Sequence, residues 1–201
     1  MEILKQESST SCGIACIRSV MNNLGGKFSE EDIRKVHESL VSDSGNEINP
    51  PLSLGITALK LGYSVKYYTY SHIFFGNNRF SDLMENLEEK QRNYFGYGKY
   101  YVERAIEFLN LKGEFVLDKL GRDKLKSFID DEEYPIVQIR TCFLSGKGNL
   151  GNRHKVIINK YDENGFYFLD PTSGEEKFVD YDTFYLAFYQ EGPELLILGK
   201  K

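Results

Sequence analysis

The stretch Gln6 to Cys16, QESSTSCGIAC, sets a cysteine at the mouth of an expected helix and a glutamine six residues before it. A thiol attacks carbonyl carbon only as its thiolate, so the question is what would ionise Cys12. The run Ser8-Ser9-Thr10-Ser11 offers N-cap side chains, and Ile14, Ile17, Met21 and Leu24 recur at helical spacing until Gly25-Gly26 stops the helix. Cys12 then falls in the first turn. There the unpaired backbone N–H groups and the positive end of the helix dipole, joined by a nearby cation, draw a thiol pKa from about 8.5 towards roughly 3.5 to 7.5. Gln6, just outside the helix, offers a side-chain N–H to the oxyanion that forms on an attacked carbonyl.

A thiolate needs a base, and the chain offers His37, His72 and His154. His154 opens the run HKVIINKYDENGFYFLDP, which reads as a hairpin: His154 to Tyr161 as one strand, Asp162 to Gly165 as the turn, Phe166 to Leu169 as the return. The turn folds the start of the first strand onto the end of the second, so Asp170 comes beside His154. That yields Cys12, His154 and Asp170 in the order nucleophile, base and orienting carboxylate. His37 stands among Glu30, Glu31, Lys35 and Glu38 on an expected exposed helix face, and His72 reads as a structural histidine.

Q-x5-C-G-x-A near the N-terminus, a strand opening on His154, and D-P-x-x-G from Asp170 together resemble the bacteriocin-processing peptidases. These are papain-like cysteine peptidases best known as N-terminal domains of peptide-exporting ABC transporters. The resemblance runs from Gln6 to about Phe188 and includes Tyr67 to Thr69 after a helix-Gly-strand unit. The Cys12 to His154 separation also lies within the roughly 130 to 150 residues that part these groups in papain-like enzymes. The resemblance implies Cys12 as nucleophile, His154 as general base, Asp170 as its orienter and Gln6 as the oxyanion-hole residue. It implies a peptide or protein substrate, typically a leader ending in a double glycine, and association with a peptide exporter. Two positions differ from the family's usual pattern: Ser11 stands where Asp is common, and Lys155 where a bulky apolar residue is usual.

Composition agrees with an enzyme-sized domain. The 201 residues, 41% hydrophobic and 14% aromatic, suffice for a core without disulfide or metal. A net charge of −5 gives no concentrated basic surface for phosphates, which argues against a nucleic-acid partner. The cluster Lys119, Arg122, Lys124 and Lys126 reads as a solvated helix face. No run reaches the roughly 18 apolar residues of a membrane helix, and no signal-peptide core opens the chain, so a cytoplasmic location is expected, with signal-independent secretion left open. Three cysteines, an odd number, fit a reducing compartment. Cys16 reads as a buried hydrophobe beside Ile17 and Val20, and Cys142 as a core thiol at a strand end. No CxxC pair or second histidine makes a metal site of Cys12 and Cys16. GxxxxGK[ST] is absent around Gly146 to Gly151, as is GxSxG anywhere, so no cofactor, nucleotide or serine nucleophile is expected.

The elements that must carry these residues make an α+β, papain-like fold: the Cys12 helix packed on an antiparallel sheet that bears His154 and Asp170. The reading is one domain over 1–201 with a helical or lid insertion at about 70–101. Ser29 and Asp32 make a capping-box start for a helix through Leu40. A polar loop follows over Ser42 to Pro51, then a helix over Leu52 to Leu61 ended by Gly62, and a strand over Ser64 to Tyr70. The insertion holds a helix over Ser81 to Asn93 and the aromatics Phe74, Phe75, Tyr94, Phe95, Tyr97, Tyr100 and Tyr101, which either pack a helical layer or wall a substrate groove. Gly96 and Gly98 would let such a wall move. A helix to Leu111, strands over Glu114 to Leu117 and Ile136 to Thr141, and a helix over Arg122 to Asp130 complete the pattern, with the glycine-rich loop Phe143 to Asn152 leading to His154.

Three function classes share the four residues. A peptidase hydrolyses a peptide bond through an acyl-enzyme, and a deamidase or peptide transferase differs only in substrate and acceptor. A peptide-binding module would keep the fold without turnover, and the intact set Gln6, Cys12, His154 and Asp170 argues against it.

Overall fold

A computed structural model describes residues 1–41, 47–69, 87, 97–145, 152–190 and 192–201. The first helix, α1 (Cys12–Asn23), ends where Gly25 takes φ 94°. The capping box forms as expected, Ser29 Oγ accepting from Asp32 N and Asp32 accepting from Ser29 N, but α2 (Glu30–Arg34) stops well before Leu40. A two-stranded ribbon, β1 (Leu40–Val41) and β2 (Glu47–Ile48), precedes α3 (Pro51–Lys60). Gly62, at φ 92°, turns α3 into β3 (Tyr63–Thr69). Then follow α4 (Tyr97–Asn110), β4 (Glu114–Leu117), α5 (Arg122–Asp130), β5 (Ile136–Arg140) and α6 (Thr141–Ser145). The hairpin β6 (Arg153–Tyr161) and β7 (Gly165–Asp170) leads through β8 (Glu175–Asp180) and α7 (Tyr181–Tyr189) to β9 (Glu194–Lys200).

Seven strands form one sheet in the order β4-β3-β9-β5-β6-β7-β8. Every pairing is antiparallel except β3 with β4, which is parallel because α4 crosses between them. The last strand, β9, lies inside the sheet, third of the seven, between β3 and β5. Its run Leu195 to Leu198 is buried on both faces, the signature of an interior strand. One face packs α1, α3 and α4 over Ile157, Leu169, Ile136, Leu196 and Leu198. The other packs α5 and α7 over Val137, Val156, Ile158, Phe168 and Leu195. The helices thus cover both faces, and α1 reaches β6 from the first.

Most of the expected insertion at about 70–101, including His72, Phe74, Phe75, Tyr94, Phe95 and Gly96, lies outside the described residues, as do 146–151 of the glycine-rich loop and 42–46 of the polar loop. Leu87, Tyr101 and Val102 belong to the first core, and Tyr100 shares a hydrogen bond of 2.8 Å with Ser53 Oγ. The basic cluster is more than a solvated face: Arg122 lies 3.8 Å from the Tyr181 ring centroid and Lys126 lies 4.8 Å from that of Tyr161.

Candidate active site

Cys12 is the first residue of α1, and the residue before it shapes the helix end. The Ser11 hydroxyl donates to Ser8 O at 3.1 Å and accepts from Ser8 N at 3.0 Å. It makes no cap to the helix, contrary to the expectation from its type and place. A capping oxygen would have neutralised first-turn N–H groups; with Ser11 turned back, the positive helix end beside Cys12 carries no side-chain cap. Gly13 is needed for close approach, since a Cβ there would lie 2.6 Å from Leu54 Cδ1 and 2.8 Å from Lys155 Cδ. One turn on, Cys16 donates to Lys155 O at 3.4 Å and has no exposed surface. Burial pushes its thiol pKa well above the ordinary value. It is the inert core thiol the sequence suggests.

The hairpin joins the other two members. His154 Nε2 donates to Asp170 Oδ1 at 2.7 Å, the two side chains being 12% and 8% exposed. That leaves the other ring nitrogen for the Cys12 thiol, to which His154 is electrostatically coupled. Burial works against an imidazolium here, yet the Asp170 and Cys12 hydrogen bonds and charges raise the His154 pKa to about 9. Burial likewise works against the thiolate. The His154 hydrogen bond, the Lys155 charge, the His154 charge and the Lys155 main-chain N–H together lower the Cys12 pKa to about 7. Between about pH 7 and about pH 9 the favoured state of the pair is thiolate and imidazolium.

Asp170 is held from three sides. Besides His154, Thr172 N donates to Oδ1 at 2.9 Å and Lys177 Nζ to Oδ2 at 2.5 Å. Burial would raise its pKa, but these donors keep the carboxyl well below the usual range. Lys177 arrives because β8 pairs with β7 in the register Phe168 to Lys177, which sets it diagonal to Asp170 on one face.

Gln6 is fixed at both ends of its amide. Its Nε2 donates to Ser8 O at 2.8 Å and its Oε1 accepts from Thr172 Oγ1 at 3.1 Å, while its main-chain N donates to Pro171 O at 2.9 Å. A primary amide nitrogen carries two hydrogens, so one N–H remains after Ser8 is served. Thr172 thus links Gln6 to Asp170. The flanking segment is pinned along α1 and α2: Leu4 N to Ser19 Oγ at 2.9 Å, Arg18 Nη2 to Lys5 O at 2.9 Å, Glu7 N to buried Glu30 at 3.1 Å.

Two residues sit differently from expectation. His37 is not on an exposed helix face: it lies beyond the end of α2, half-buried, 2.8 Å from Thr57 Oγ1 and 2.6 Å from Asn49 Oδ1. Asn49 Nδ2 in turn donates to Thr10 O at 2.8 Å, so His37 braces the chain entering Cys12. Cys142 is half-buried on α6 rather than in a strand-end core, because the strand stops at Arg140 and Thr141 opens a helical turn. That turn is tied across its loop by Thr141 N to Asn152 O at 3.2 Å and Asn152 N to Thr141 Oγ1 at 3.0 Å.

The site has room for a chain beside it. His154 and Asp170 border a cavity of about 470 Å³ walled by Phe143, Leu144, Phe168, Phe178 and Val179. Among the described residues, no three His, Cys, Asp or Glu side chains are grouped to hold a metal ion, and no helix is long and apolar enough to cross a membrane.

The residues that sequence reasoning missed are Thr172, Lys177 and the buried Lys155. Thr172 had a local signal in the turn after Asp170, where a main-chain N–H commonly caps the Asp side chain. Lys177 had none without the strand register.

Solved structures share this architecture. The peptidase domain of Streptococcus ComA, a bi-functional ABC transporter involved in quorum sensing, aligns over 100% of this chain and 98% of its own, with a TM-score of 0.53 and 14% identity. A double glycine motif protease from an AMS/PCAT transporter, solved with its leader peptide, covers 99% of this chain and 91% of its own, again at 0.53 and 14%. A C39-like peptidase from Bacillus anthracis gives 0.54 and 15%, over 99% and 94% of the two chains. No protein-family model and no curated protein matches the chain. At such identities the likeness shows the fold, and that fold is the one borne by C39 peptidase domains, as the resemblance read around Cys12 and His154 implies.

Proposed function

We propose that this chain is a cysteine peptidase in which Cys12 is the nucleophile, His154 the general acid and base, Asp170 its orienter and Gln6 an oxyanion donor. The observation that carries this reading is the His154–Asp170 hydrogen bond, with Cys12 at the start of α1 electrostatically coupled to the same imidazole. Fold likeness to peptidase domains supports it independently.

The chemistry follows from the atoms in place. The Cys12 sulfur forms a bond to the substrate carbonyl carbon, and the π electrons move onto oxygen. Helix-start N–H groups and the free Gln6 N–H stabilise that oxygen, a service made only once charge has developed there. The carbon–nitrogen bond breaks as His154 gives its proton to the departing amine. Water then attacks the thioester, losing its proton to His154, and the Cys12 thiolate leaves. Asp170 keeps His154 donating through Nε2, so the nitrogen facing Cys12 is the one that exchanges protons.

The substrate class we assign is a peptide with small residues at the scissile bond, of the double-glycine leader kind. The leader-bound AMS/PCAT protease and the motif around Cys12 both support that assignment. The ComA and AMS/PCAT proteins are transporters, which makes a peptide exporter the partner of choice.

Incubation with a peptide set that includes Gly-Gly leaders and their Gly-to-Val variants, read by mass spectrometry, tests the reading. Cleavage after Gly-Gly by the wild type, absent in Cys12→Ala, is expected. No cleavage of any member by a folded wild type would overturn it.

A further inference from the structure

Lys155 follows His154 on β6, so its side chain leaves the opposite face of the strand, beneath the first turn of α1. It is 5% exposed, in a core of Ile14, Leu54, Ile157 and Leu196. Lysine is among the residues least often found fully buried, and one left there without compensation discharges. Its position is fixed on both sides. The stem presses on Gly13, whose added Cβ would fall 2.8 Å from Lys155 Cδ. The ammonium donates to Oε1 of Gln138, its partner directly across β5 and β6, at 2.8 Å. Gln138 is the only hydrogen-bond acceptor of this ammonium among the described residues, and it is neutral. A charge kept here must therefore be balanced by something else close by.

We propose that Lys155 is a second, buried cation of the Cys12 site, stabilising the thiolate from beneath α1 while His154 stabilises it from the cleft. The proposal rests on Cys12 being the nucleophile. The charged and titratable groups around Lys155 are Cys12 and Cys16 on α1, Glu194 on β9, and Arg153 on its own strand; α3 presents only Pro51 and Leu54. Burial pushes the Lys155 pKa down and Arg153 pushes with it, while Cys12, Cys16 and Glu194 pull it up; the net shift is downward, so the ammonium is kept only as far as those acidic neighbours hold it. Cys16 stays a thiol, which leaves Cys12 and Glu194 as the acidic groups that pull on Lys155. Lys155 is also among the groups that lower the Cys12 pKa, and its main chain lies against the same helix, its carbonyl accepting from Cys16 Sγ at 3.4 Å. A consequence follows for turnover. When His154 has given its proton away, Lys155 still holds positive charge beside the sulfur, and this favours departure of the thiolate in the hydrolysis of the acyl-enzyme.

Lys155→Met keeps the length of the side chain and removes the charge. Rates of Cys12 alkylation by iodoacetamide against pH, read by peptide mapping, are measured for this variant and the wild type. The midpoint should rise by about 1 pH unit or more, the usual effect of losing a neighbouring opposite charge, with about tenfold slower labelling at about pH 6. A folded Lys155→Met protein with the wild-type midpoint overturns the proposal. A wild type whose Cys12 fails to label at all would instead sink the nucleophile reading, so the two failures are distinct. Should the variant not fold, nitrogen-15 lysine NMR of the wild type decides: an ammonium signal for Lys155 at about pH 7 that turns towards the neutral amine once Cys12 is carbamidomethylated is expected. A neutral amine at that pH with Cys12 free overturns the proposal.

Discussion

His154 and Asp170 meet at 2.7 Å because a four-residue turn returns the chain, Asp162 accepting from Asn164 N at 2.7 Å and Gly165 N at 3.0 Å. The contact spends one ring nitrogen on the carboxylate and leaves the other towards the Cys12 sulfur, the arrangement that the proposed acid and nucleophile require.

Turnover should be bell-shaped in pH. The Cys12 pKa is depressed to about 7, so the thiolate is lost as pH falls through that value; the His154 pKa is raised to about 9, so the imidazolium is lost as pH rises through it. The same signs govern stability: the His154 contribution is complete below its ordinary 6.5 and disappears through about 9. A kcat/KM profile with its plateau between those limits is expected, and a rate that still climbs above pH 10 would contradict it.

Asp170→Asn keeps the volume and removes the charge that holds His154 protonated. The rate should fall on the order of 10³ to 10⁴, as when a triad carboxylate is lost, with the His154 pKa dropping towards its ordinary value. Histidine proton NMR alongside kinetics checks both. An unchanged His154 titration would mean that Asp170 is not what raises it.

The parts of this site that were legible in the sequence are those made by local signals. The extent of α1 and its glycine stop, and the hairpin that brings Asp170 to His154, follow from periodicity and turn chemistry within a few residues of each other. What escaped depends on distant pairing. Glu194 to Lys200 becomes an interior strand only because β3 and β5 take it between them, and Lys177 reaches Asp170 only through the β7 and β8 register. Lys155 escaped because its type argues for solvent, whereas its strand alternation argues for the α1 face; the alternation wins. Ser11 escaped since a hydroxyl at a helix start has two local partners to choose from, and here Ser8 takes it.

Gln6→Ala should slow acylation about 10² to 10³-fold, the cost of one oxyanion donor, without moving the pH midpoint of Cys12 alkylation. The two effects separate because Gln6 meets charge only after attack. Single-turnover acylation at the wild-type rate would make the residue structural, its amide serving Ser8 and Thr172 alone.

Gly13→Ala sets two terms against each other. Alanine gains about 0.5 to 1 kcal/mol of helix propensity, but a Cβ 2.6 Å from Leu54 Cδ1 overpacks the core at about 1 to 3 kcal/mol. The variant should be less stable by urea denaturation. A gain in stability would mean that Leu54 and Lys155 yield freely.

The most direct measurement is iodoacetamide labelling at about pH 7 of the wild type and His154→Ala, mapped by peptide mass spectrometry. The account predicts that Cys12 reacts first, ahead of half-buried Cys142, that Cys16 stays unmodified while the protein is folded, and that His154→Ala removes the Cys12 advantage. Preferential labelling of Cys142, or Cys12 labelling that is indifferent to His154, would contradict it.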